Sequence, residues 1–579
     1  MSATSVDVVI VGAGPFGIIA AKTYLELNPT ALLTILETDT SLGGAWSKTR
    51  IYSGMYSQSP LGMIEFSDAP MKPTKDQFHG YVPAQHVCEY LEEYTKTHVY
   101  SGRDIESRIR FDSRVTSIRK VRNTNSVRNS WVVCTDKGDV ITSDKLMLAT
   151  GITSKPNIPV FENEGFTPPM LHTKDLARLA PSFVESEGIR NVVVLGGSKS
   201  AFDAVHMFLS AGKNLQWIIR DKGSGPAGMS APDSAPVYYD NAHQILATRL
   251  MSKLSPCIFE PRDSWMKFFH QTKVGRWITD RVWSSMQSRW IRAAKYERSD
   301  NMNRLRPQLP IFWSSDNVGV SNTPGFWDTI SCAKVHRTSI SKLVDSSILL
   351  QNGGSLPCDL LVMSTGWDIT FPFFTPEDSA ALGLPVPISF QSMVDAKKWE
   401  HLEAAADEKI ISMFPRLRSP PDYYRQPPST TQFYLYRGMV SPHEVASGDN
   451  SIVFLGQVGA AQSFQIAETQ SIWAAAYLMG DLQLPDVREI ENDIALTNVW
   501  RRRRYLSVGE RKPTFMHDEL AYVSMLLRDL GVNHLRKGGW REMVQPYCNK
   551  DYQGMLDEYM RIRAKQEDYN SNIKLNMGV

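Results

Sequence analysis

Two glycine-rich stretches have the spacing of loops that bind the pyrophosphate of a dinucleotide. The first reads Gly12-Ala13-Gly14-Pro15-Phe16-Gly17, between an apolar run at 7–11 and an apolar stretch at 18–27. In such a loop the first glycine permits a tight turn, the second lets the backbone approach the phosphates, and the third lets the next helix pack on the strand. The N-terminus of that helix attracts the anion. We therefore predict that this loop binds a dinucleotide through Gly12, Gly14, Pro15, Phe16 and Gly17.

The same arrangement recurs in the middle of the chain. An apolar run at 191–195 is followed by Gly196-Gly197-Ser198-Lys199-Ser200-Ala201, a helical stretch to about residue 210 and another apolar run at 215–219. This pattern again predicts strand, loop, helix and strand, with phosphate at the helix N-terminus. The predicted contacts with a second dinucleotide are Gly196, Ser198, Lys199 and Ser200.

The residues that end the second strand of each unit differ in charge. Glu37 ends the first unit, where a carboxylate accepts hydrogen bonds from a bare ribose and repels a phosphate. Arg220 ends the second unit and, with Lys199 and Lys222 nearby, would attract a 2′-phosphate. FAD is therefore predicted at the first loop and NADPH at the second. The alternative, in which these basic residues are only solvated surface, stays open.

A strand, turn and strand pattern that ends in Thr-Gly also occurs twice. Runs at 131–134 and 144–149 precede Thr150-Gly151, and runs at 347–351 and 359–364 precede Thr365-Gly366. The spacing predicts hairpins that feed buried strands back to the cofactors. The predicted fold is α/β, with two Rossmann-like dinucleotide-binding domains, the NADPH domain inserted in a discontinuous FAD domain, and a helical C-terminal extension. The predicted boundaries are 1–185 and 331–500 for the FAD domain, 186–330 for the NADPH domain and 501–579 for the extension.

Further motifs resemble those of the flavin-containing monooxygenases, class B FAD/NADPH monooxygenases that neighbour the Baeyer–Villiger monooxygenases. They are Gly43-Gly44-Ala45-Trp46, Phe66-Ser67-Asp68-Ala69-Pro70, Tyr81-Val82-Pro83 and Ser364-Thr365-Gly366-Trp367. The resemblance implies reduction of FAD by NADPH, capture of O2 as a C4a-hydroperoxyflavin, and transfer of one oxygen atom to a small organic substrate in specialised metabolism. Heteroatom oxygenation or hydroxylation is favoured. Baeyer–Villiger oxidation of a ketone and a flavin reductase without oxygenation are the alternatives.

The resemblance also assigns roles to single residues. Gly44 and Trp46 would lie against the flavin side of FAD. Gln58 occupies the place of an asparagine beside the reactive face of the flavin, and its carboxamide can donate a hydrogen bond without adding negative charge. The alternative for Gln58 is a loop amide bonded to its own backbone. His172 ends a degraded FxGxxxH motif with Pro168 in place of the glycine, so a structural role between the domains is expected.

Composition argues against several other classes of protein. Lys and Arg total 63 against 61 acidic residues, so no nucleic-acid partner is expected. Six cysteines without a CxxC pair or metal-ligand spacing argue against a dithiol–disulfide reductase and a metal site. The N-terminus does not resemble a signal peptide and no 18-residue apolar run occurs, so a cytoplasmic protein without a spanning segment is expected.

Two regions carry no recognised motif. The Trp-rich stretch 240–327 has aromatic and basic residues at helical spacings. Its alternatives are a helical lid over the substrate, core packing with a basic face, and a peripheral membrane contact. The run of four arginines at 501–504 predicts a solvated helix face, and the extension that it opens is expected to serve packing or oligomer formation.

Overall fold

A computed structural model describes residues 4–122, 129–233 and 238–577 of the chain. The strands are β1 (Thr4–Val11), β2 (Leu33–Leu36), β3 (Tyr56–Pro60), β4 (Tyr81–Pro83), β5 (Val99–Tyr100), β6 (Arg103–Asp104), β7 (Ile109–Arg110), β8 (Val115–Arg122), β9 (Asn129–Thr135), β10 (Val140–Leu148), β11 (Lys155–Pro156), β12 (Asn163–Glu164), β13 (Met170–His172), β14 (Asn191–Leu195), β15 (Asn214–Ile219), β16 (Gly228–Ser230), β17 (Val318–Val320), β18 (Lys334–Arg337), β19 (Ile340–Val344), β20 (Ser347–Leu350), β21 (Ser355–Pro357), β22 (Leu360–Met363), β23 (Trp367–Asp368) and β24 (Ile452–Phe454).

The helices alternate with the strands in the first two thirds of the chain and dominate the last third. They are α1 (Pro15–Leu27), α2 (Ala84–Thr97), α3 (Leu176–Glu185), α4 (Lys199–Ser210), α5 (Ala242–Leu246), α6 (Arg249–Leu254), α7 (Ser264–Gln271), α8 (Lys273–Ala294), α9 (Asp300–Asn303), α10 (Ile311–Ser314), α11 (Phe326–Ile330), α12 (Pro376–Ala381), α13 (Met393–Met413), α14 (Pro442–Ala446), α15 (Ser463–Met479), α16 (Val487–Arg504), α17 (Glu519–Asp529), α18 (Arg541–Val544) and α19 (Met555–Met577).

The first sheet has seven strands and carries the first glycine loop. Its order is β7-β2-β1-β10-β9-β8, and β24 pairs with the C-terminal end of β10. The strands β7, β2, β1, β10 and β24 run parallel, whereas β9 and β8 continue from β10 as antiparallel strands. Val8, Val9 and Ile10 of β1 are fully buried, as expected for a strand inside a parallel sheet. Helix α1 follows at once with Pro15 in its first turn, where the missing N–H would have no helical partner.

The second sheet has five parallel strands in the order β13-β22-β14-β15-β18. It carries the second glycine loop between β14 and α4. The two predicted Thr-Gly repeats differ in how they pair. In the first repeat β9 and β10 form one hairpin. In the second the returning strand is divided into β21, which pairs with β20, and β22, which enters the five-stranded sheet.

The two domains are joined by a pair of short strands. β11 lies just before the second sheet and pairs antiparallel with β23, which lies just after it. The chain therefore leaves the first domain and returns to it side by side, as expected for an inserted domain. The predicted limits of 186–330 cut through the second sheet and are corrected to the residues between β11 and β23, because β13, β18 and β22 come from both flanks of that range.

Helices α5 to α11 are inserted between β15 and β18 and contain the Trp-rich stretch. Trp283 and Trp313 are buried in the main hydrophobic core. Trp265 and Trp277 are 54% and 58% exposed. The stretch therefore combines core packing with an exposed aromatic face. In the described residues, no helix is both long and apolar enough to cross a bilayer.

The arginine run at 501–504 lies at the end of α16, so the predicted boundary at 501 falls inside a helix. The prediction of a solvated face is wrong for two of the four residues, since Arg501 and Arg504 are buried. Arg504 donates to the Phe312 carbonyl, and its guanidinium lies 5.2 Å from the centre of the Trp283 ring. The physical reason is that one side of α16 packs on α13 while its end contacts the inserted region at Pro256 and Phe312, so that only part of its basic face reaches water.

Candidate functional site

The first glycine loop forms a close-packed cradle at the C-terminal end of β1. Gly12 has φ +106°, and a Cβ on it would lie 2.5 Å from the Ala149 carbonyl oxygen. A Cβ on Gly17 would lie 1.9 Å from the Gly12 carbonyl oxygen. A Cβ on Gly14 would lie 3.7 Å from the Cα of Gly44. Gly12 and Gly17 therefore permit the tight turn and the close packing of α1 on β1, and the lack of a side chain at Gly14 lets a pyrophosphate approach the amides of α1. The cradle thus fits the dinucleotide part of FAD.

Glu37 stands at the end of β2 and is only 8% exposed. Its carboxylate accepts hydrogen bonds from the amides of Ala13 (2.7 Å) and Asp39 (2.9 Å), one on each oxygen. Burial is the main cause that raises the pKa of Glu37, and these amides oppose it. A carboxylate has about four acceptor positions, so both oxygens can also accept from ribose hydroxyls. Glu37 thus ties the loop to β2.

Other predicted contacts surround the same loop. The Phe16 ring packs on the turn after β24, where a Cβ on Gly456 would lie 2.9 Å from it. Trp46 lies in a single 3-10 turn, Gly44–Trp46, and packs partly buried against the main core. Thr150 and Gly151 follow β10 at the same edge of the sheet, and Gly151 has φ +66°.

The second loop repeats the geometry of the first. Gly196 has φ +126°, and a Cβ on it would lie 2.2 Å from the Ser364 carbonyl oxygen. Its amide donates to Ile218 on the neighbouring strand (2.9 Å), as the Gly12 amide donates to Leu36 (2.8 Å). The two cradles are therefore built in the same way from the ends of parallel strands, and the second fits a second dinucleotide.

The polar side chains of the second loop already have partners within the protein. The hydroxyl groups of Ser198 and Ser200 lie 2.9 and 2.7 Å from the hydroxyl of Ser364. The Lys199 ammonium pairs with Asp203 at 2.5 Å. Asp203 also accepts from the Tyr52 hydroxyl of the first domain. In this structure the charge of Lys199 is thus paired with Asp203, and the two serines tie the loop to Ser364 at the end of β22.

Two arginines meet at the ends of β15 and β18. Arg220 is exposed, and its guanidinium lies over Gly223, where a Cβ would be 3.7 Å from Nη2. Arg337 ends β18 and is paired in register with Ile219, the residue before Arg220. The Nη1 atom of Arg337 is buried and has no hydrogen-bond partner among the described residues. Burial is the main cause that lowers the Arg337 pKa, so an anion placed there would relieve the cost of its charge.

A third arginine reaches this place from the C-terminal extension. Arg511 donates to the Ser507 carbonyl (2.9 Å) and contacts the Ser224 hydroxyl (3.4 Å), one residue beyond the glycine under Arg220. Burial, and next the charge of Arg220, lower the pKa of Arg511. Three guanidinium groups from separate parts of the chain therefore lie around the loop that follows β15.

Gln58 lies on β3 and contacts the inserted region. Its Oε1 accepts a hydrogen bond from the Val320 amide (2.8 Å), and Asn322 donates to the neighbouring Ser57 carbonyl (2.5 Å). The Nε2 atom of Gln58 is buried without a partner among the described residues. The alternative in which this amide bonds its own backbone does not describe the structure. Gln58 is instead a fixed donor at the junction of the two domains.

His172 holds the connection between the domains. Its Nδ1 accepts from the Lys174 amide (3.1 Å), so Nε2 carries the proton and donates to the Gly366 carbonyl (3.1 Å). Burial lowers its pKa. Thr365 donates to the Asn157 carbonyl on the same connection. His172, Thr365 and Gly366 thus lie together beside β11 and β23, in the structural place expected for the histidine.

Comparison with known proteins agrees with this geometry. Residues 9–238 match the pyridine nucleotide-disulphide oxidoreductase family. The chain is 34% identical to the FAD-dependent monooxygenase rstn6 of Aspergillus nomiae, over 97% of this chain and 100% of that protein. It is 36% identical to the FAD-dependent monooxygenase resA of Aspergillus sclerotiorum, over 98% and 100%. The chain belongs to the FAD-dependent monooxygenases.

For this monooxygenase, the predicted enzyme class and the predicted family are confirmed. The two cofactors predicted from the sequence, FAD and NADPH, are those of this family, and its substrates are O2 and a small molecule. The fold of this chain is similar to that of ε-caprolactone-bound cyclohexanone monooxygenase, with a TM-score of 0.59 at 16% identity over 92% of this chain and 99% of that one. At that identity the likeness concerns the fold alone.

Sequence reasoning missed Arg337 and Arg511. Arg337 ends β18, whose sequence Lys334-Val335-His336-Arg337 has a single apolar residue and gives only a weak strand signal. The predicted boundary at 330 also assigned this strand to the wrong domain. Arg511 gives no local signal, since it reaches the second loop only through the docking of the C-terminal extension.

Proposed function

We propose that this protein is an NADPH-dependent FAD monooxygenase that transfers one oxygen atom of O2 to a small organic substrate by heteroatom oxygenation or hydroxylation. The observation that carries the proposal is the amide of Gln58. Its oxygen is held by Val320 and its nitrogen is a buried donor without a partner in the described chain. A buried donor left unpaired costs about 1–3 kcal/mol, so it is expected where a bound group supplies the acceptor.

The two loops divide the binding of the cofactors. The Gly12 loop and Glu37 would hold the pyrophosphate and ribose of FAD, and the Gly196 loop would hold the pyrophosphate of NADPH. Arg220, with Arg337 and Arg511, would bind the 2′-phosphate and so select NADPH over NADH. When bound, FAD supplies the redox chemistry that activates O2, and the protein supplies binding, orientation and exclusion of water.

The neutrality of Gln58 favours one direction of oxygen transfer. An amide donor adds no negative charge beside the reacting oxygen, unlike a carboxylate. This favours electrophilic transfer to nitrogen, sulfur or an electron-rich carbon over attack on a ketone carbonyl. Baeyer–Villiger oxidation is the competing reaction on the same fold.

The proposal is tested by reducing the FAD-loaded protein with NADPH without O2, mixing it with aerated buffer and following the flavin spectrum. We expect a transient absorption band that belongs to neither reduced nor oxidised flavin. Direct return of oxidised flavin without that band would support a reductase instead. Absence of reduction by NADPH would contradict the proposal altogether. Faster decay of the band with ketones than with amines or sulfides would indicate Baeyer–Villiger oxidation.

A further inference from the structure

Four separate segments border one interior region around β3. The Ser59 hydroxyl on β3 donates to the Ala461 carbonyl just before α15 (2.6 Å). A Cβ on Gly80 would lie 3.6 Å from both Pro60 at the end of β3 and Asn241 at the cap of α5. The segment before α17 also lies here, since the Phe515 amide donates to the Gly459 carbonyl, two residues before Ala461 (2.9 Å). The first domain, the inserted helices, α15 and the C-terminal extension therefore meet here.

This region contains a concentration of buried polar atoms without partners among the described residues. Besides Gln58 Nε2, they include His243 Nε2 on α5, both ring nitrogens of His517, and both amide atoms of Gln465 in the first turn of α15. The three residues are 6%, 8% and 1% exposed. Because folded proteins leave few buried polar atoms unpaired, a cluster of this kind indicates a place where a molecule supplies the missing partners.

The backbone conformation of His517 also indicates a binding site. Its φ is +69°, in the left-handed region that non-glycine residues rarely adopt. The surrounding structure holds it there through the His517 amide, which donates to the Glu519 carboxylate (2.9 Å). Strained residues of this kind cluster at binding and catalytic sites.

The charge state of the region limits what it can bind. Burial lowers the pKa of His243 to about 4 and that of His517 to about 3, and the nearby His243 and then the charge of Arg504 add to the lowering of the His517 pKa. Burial also raises the pKa of Glu519 to about 7. At neutral pH both imidazoles are therefore uncharged, and each offers one donor and one acceptor. A charged ligand would lose its hydration without gaining an opposite charge from either ring.

We propose that His243, His517 and Gln465 bind a neutral organic substrate through a hydroxyl or carbonyl oxygen beside Gln58. This inference rests on the proposed oxygenase function and names the class of its substrate. The site is assembled from the inserted helices, α15 and the C-terminal extension. The extension therefore contributes a substrate contact as well as packing.

The test uses three ligands of similar size that differ in one substituent: 2-naphthol, 2-naphthoate and 2-methylnaphthalene. Each is titrated into the FAD-loaded, oxidised protein without NADPH, and binding is followed by perturbation of the flavin spectrum. We expect 2-naphthol to bind at least about ten-fold more tightly than the other two, the factor expected for one or two hydrogen bonds. His243→Phe and His517→Phe should each remove most of this preference.

His206→Phe is the matched control. His206 is also a histidine whose buried Nε2 has no partner within the described part of the chain, but it lies on α4 in the second domain, stacked on Phe326. It should retain the wild-type preference. If His517→Phe yields no flavin-loaded protein, His517→Asn replaces it, because asparagine tolerates the left-handed backbone and its shorter amide should not reach the ligand.

Several outcomes would overturn the inference. Equal affinity for the three ligands, no perturbation by any of them, or tighter binding of 2-naphthoate would each do so. Retention of the naphthol preference in both histidine variants would do so as well. Because neither NADPH nor O2 takes part, this result is independent of the oxygenase test. A protein that prefers 2-naphthol but forms no transient band with O2 would support the binding site and contradict the oxygenase function. The two hypotheses can therefore fail separately.

Discussion

The three arginines at the second loop give a prediction that can be worked out quantitatively. A hydrogen bond to a charged group contributes about 1.5–3 kcal/mol, which corresponds to about 10- to 150-fold in a dissociation constant. Arg337 should lie at the upper end, since its Nη1 is buried and water cannot replace the phosphate contact. Arg220 is exposed and should lie at the lower end. Arg511 should be intermediate because Ser507 already anchors its guanidinium.

The assay is the rate of anaerobic flavin reduction as a function of NADPH or NADH concentration, for each arginine-to-alanine variant. Each variant should weaken the binding of NADPH and leave the dissociation constant for NADH nearly unchanged, because NADH carries no 2′-phosphate. Arg190→Ala is the matched control, since Arg190 is exposed at the opposite end of β14. If all three variants lose equal affinity for NADPH and for NADH, the assignment of these arginines to the 2′-phosphate is refuted.

Three further predictions concern the cradles and the buried charges. Gly12→Ala should abolish FAD retention, whereas Gly196→Ala should keep FAD and lose reduction by NADPH. The reason is that the added Cβ meets a carbonyl oxygen at 2.5 Å and 2.2 Å respectively. The flavin-to-protein absorbance ratio of the purified variants measures FAD retention, and FAD loss in both variants would contradict the prediction. Burial raises the pKa of Glu468 from 4.5 to about 7, so the folded protein holds an extra proton between these values and unfolding free energy should fall by about 3 kcal/mol as pH rises across them. Denaturation of wild type and Glu468→Gln at pH 5 and pH 8 measures this fall, and an equal pH dependence would refute it. Arg504→Ala should cost about 3 kcal/mol or more in stability, and Arg502→Ala, which loses only the partly exposed pair with a glutamate on α13, about 1 kcal/mol or less; similar costs would show that burial of Arg504 is not what matters.

Local spacing allowed both cradles to be predicted from the sequence. A glycine directly after a buried strand and before a helix can be recognised because strand, turn and helix are neighbours in the chain. Gly12 and Gly196 are therefore found where expected, as is Glu37 at the end of β2. The C-terminal end of α15 also has a local signal, because the helix closes at Gly480, which has φ +81°.

What could not be predicted depends on contacts between distant segments. The boundary of the second domain was misplaced because β13 and β22 pair across about 190 residues of intervening chain. The arginine run at 501–504 is typical of a solvated face, yet Arg504 packs on Phe312 and Trp283 of the inserted region and Arg501 contacts Gln432, so both are buried. His517 gives no signal in the sequence, because its role follows from a left-handed backbone and from helices that lie far away in the chain.

The central claim is that the Gln58 amide faces the place where oxygen reacts. The most direct measurement is the lifetime of the transient band formed when reduced protein meets O2, compared between wild type, Gln58→Ala and Asn322→Ala. Asn322→Ala is the control because it removes the neighbouring contact to β3 and leaves the Gln58 amide in place. The account predicts that Gln58→Ala shortens the lifetime by about ten-fold or more, with faster release of hydrogen peroxide, while Asn322→Ala shortens it far less. An unchanged lifetime in Gln58→Ala, or equal shortening in both variants, would contradict the claim.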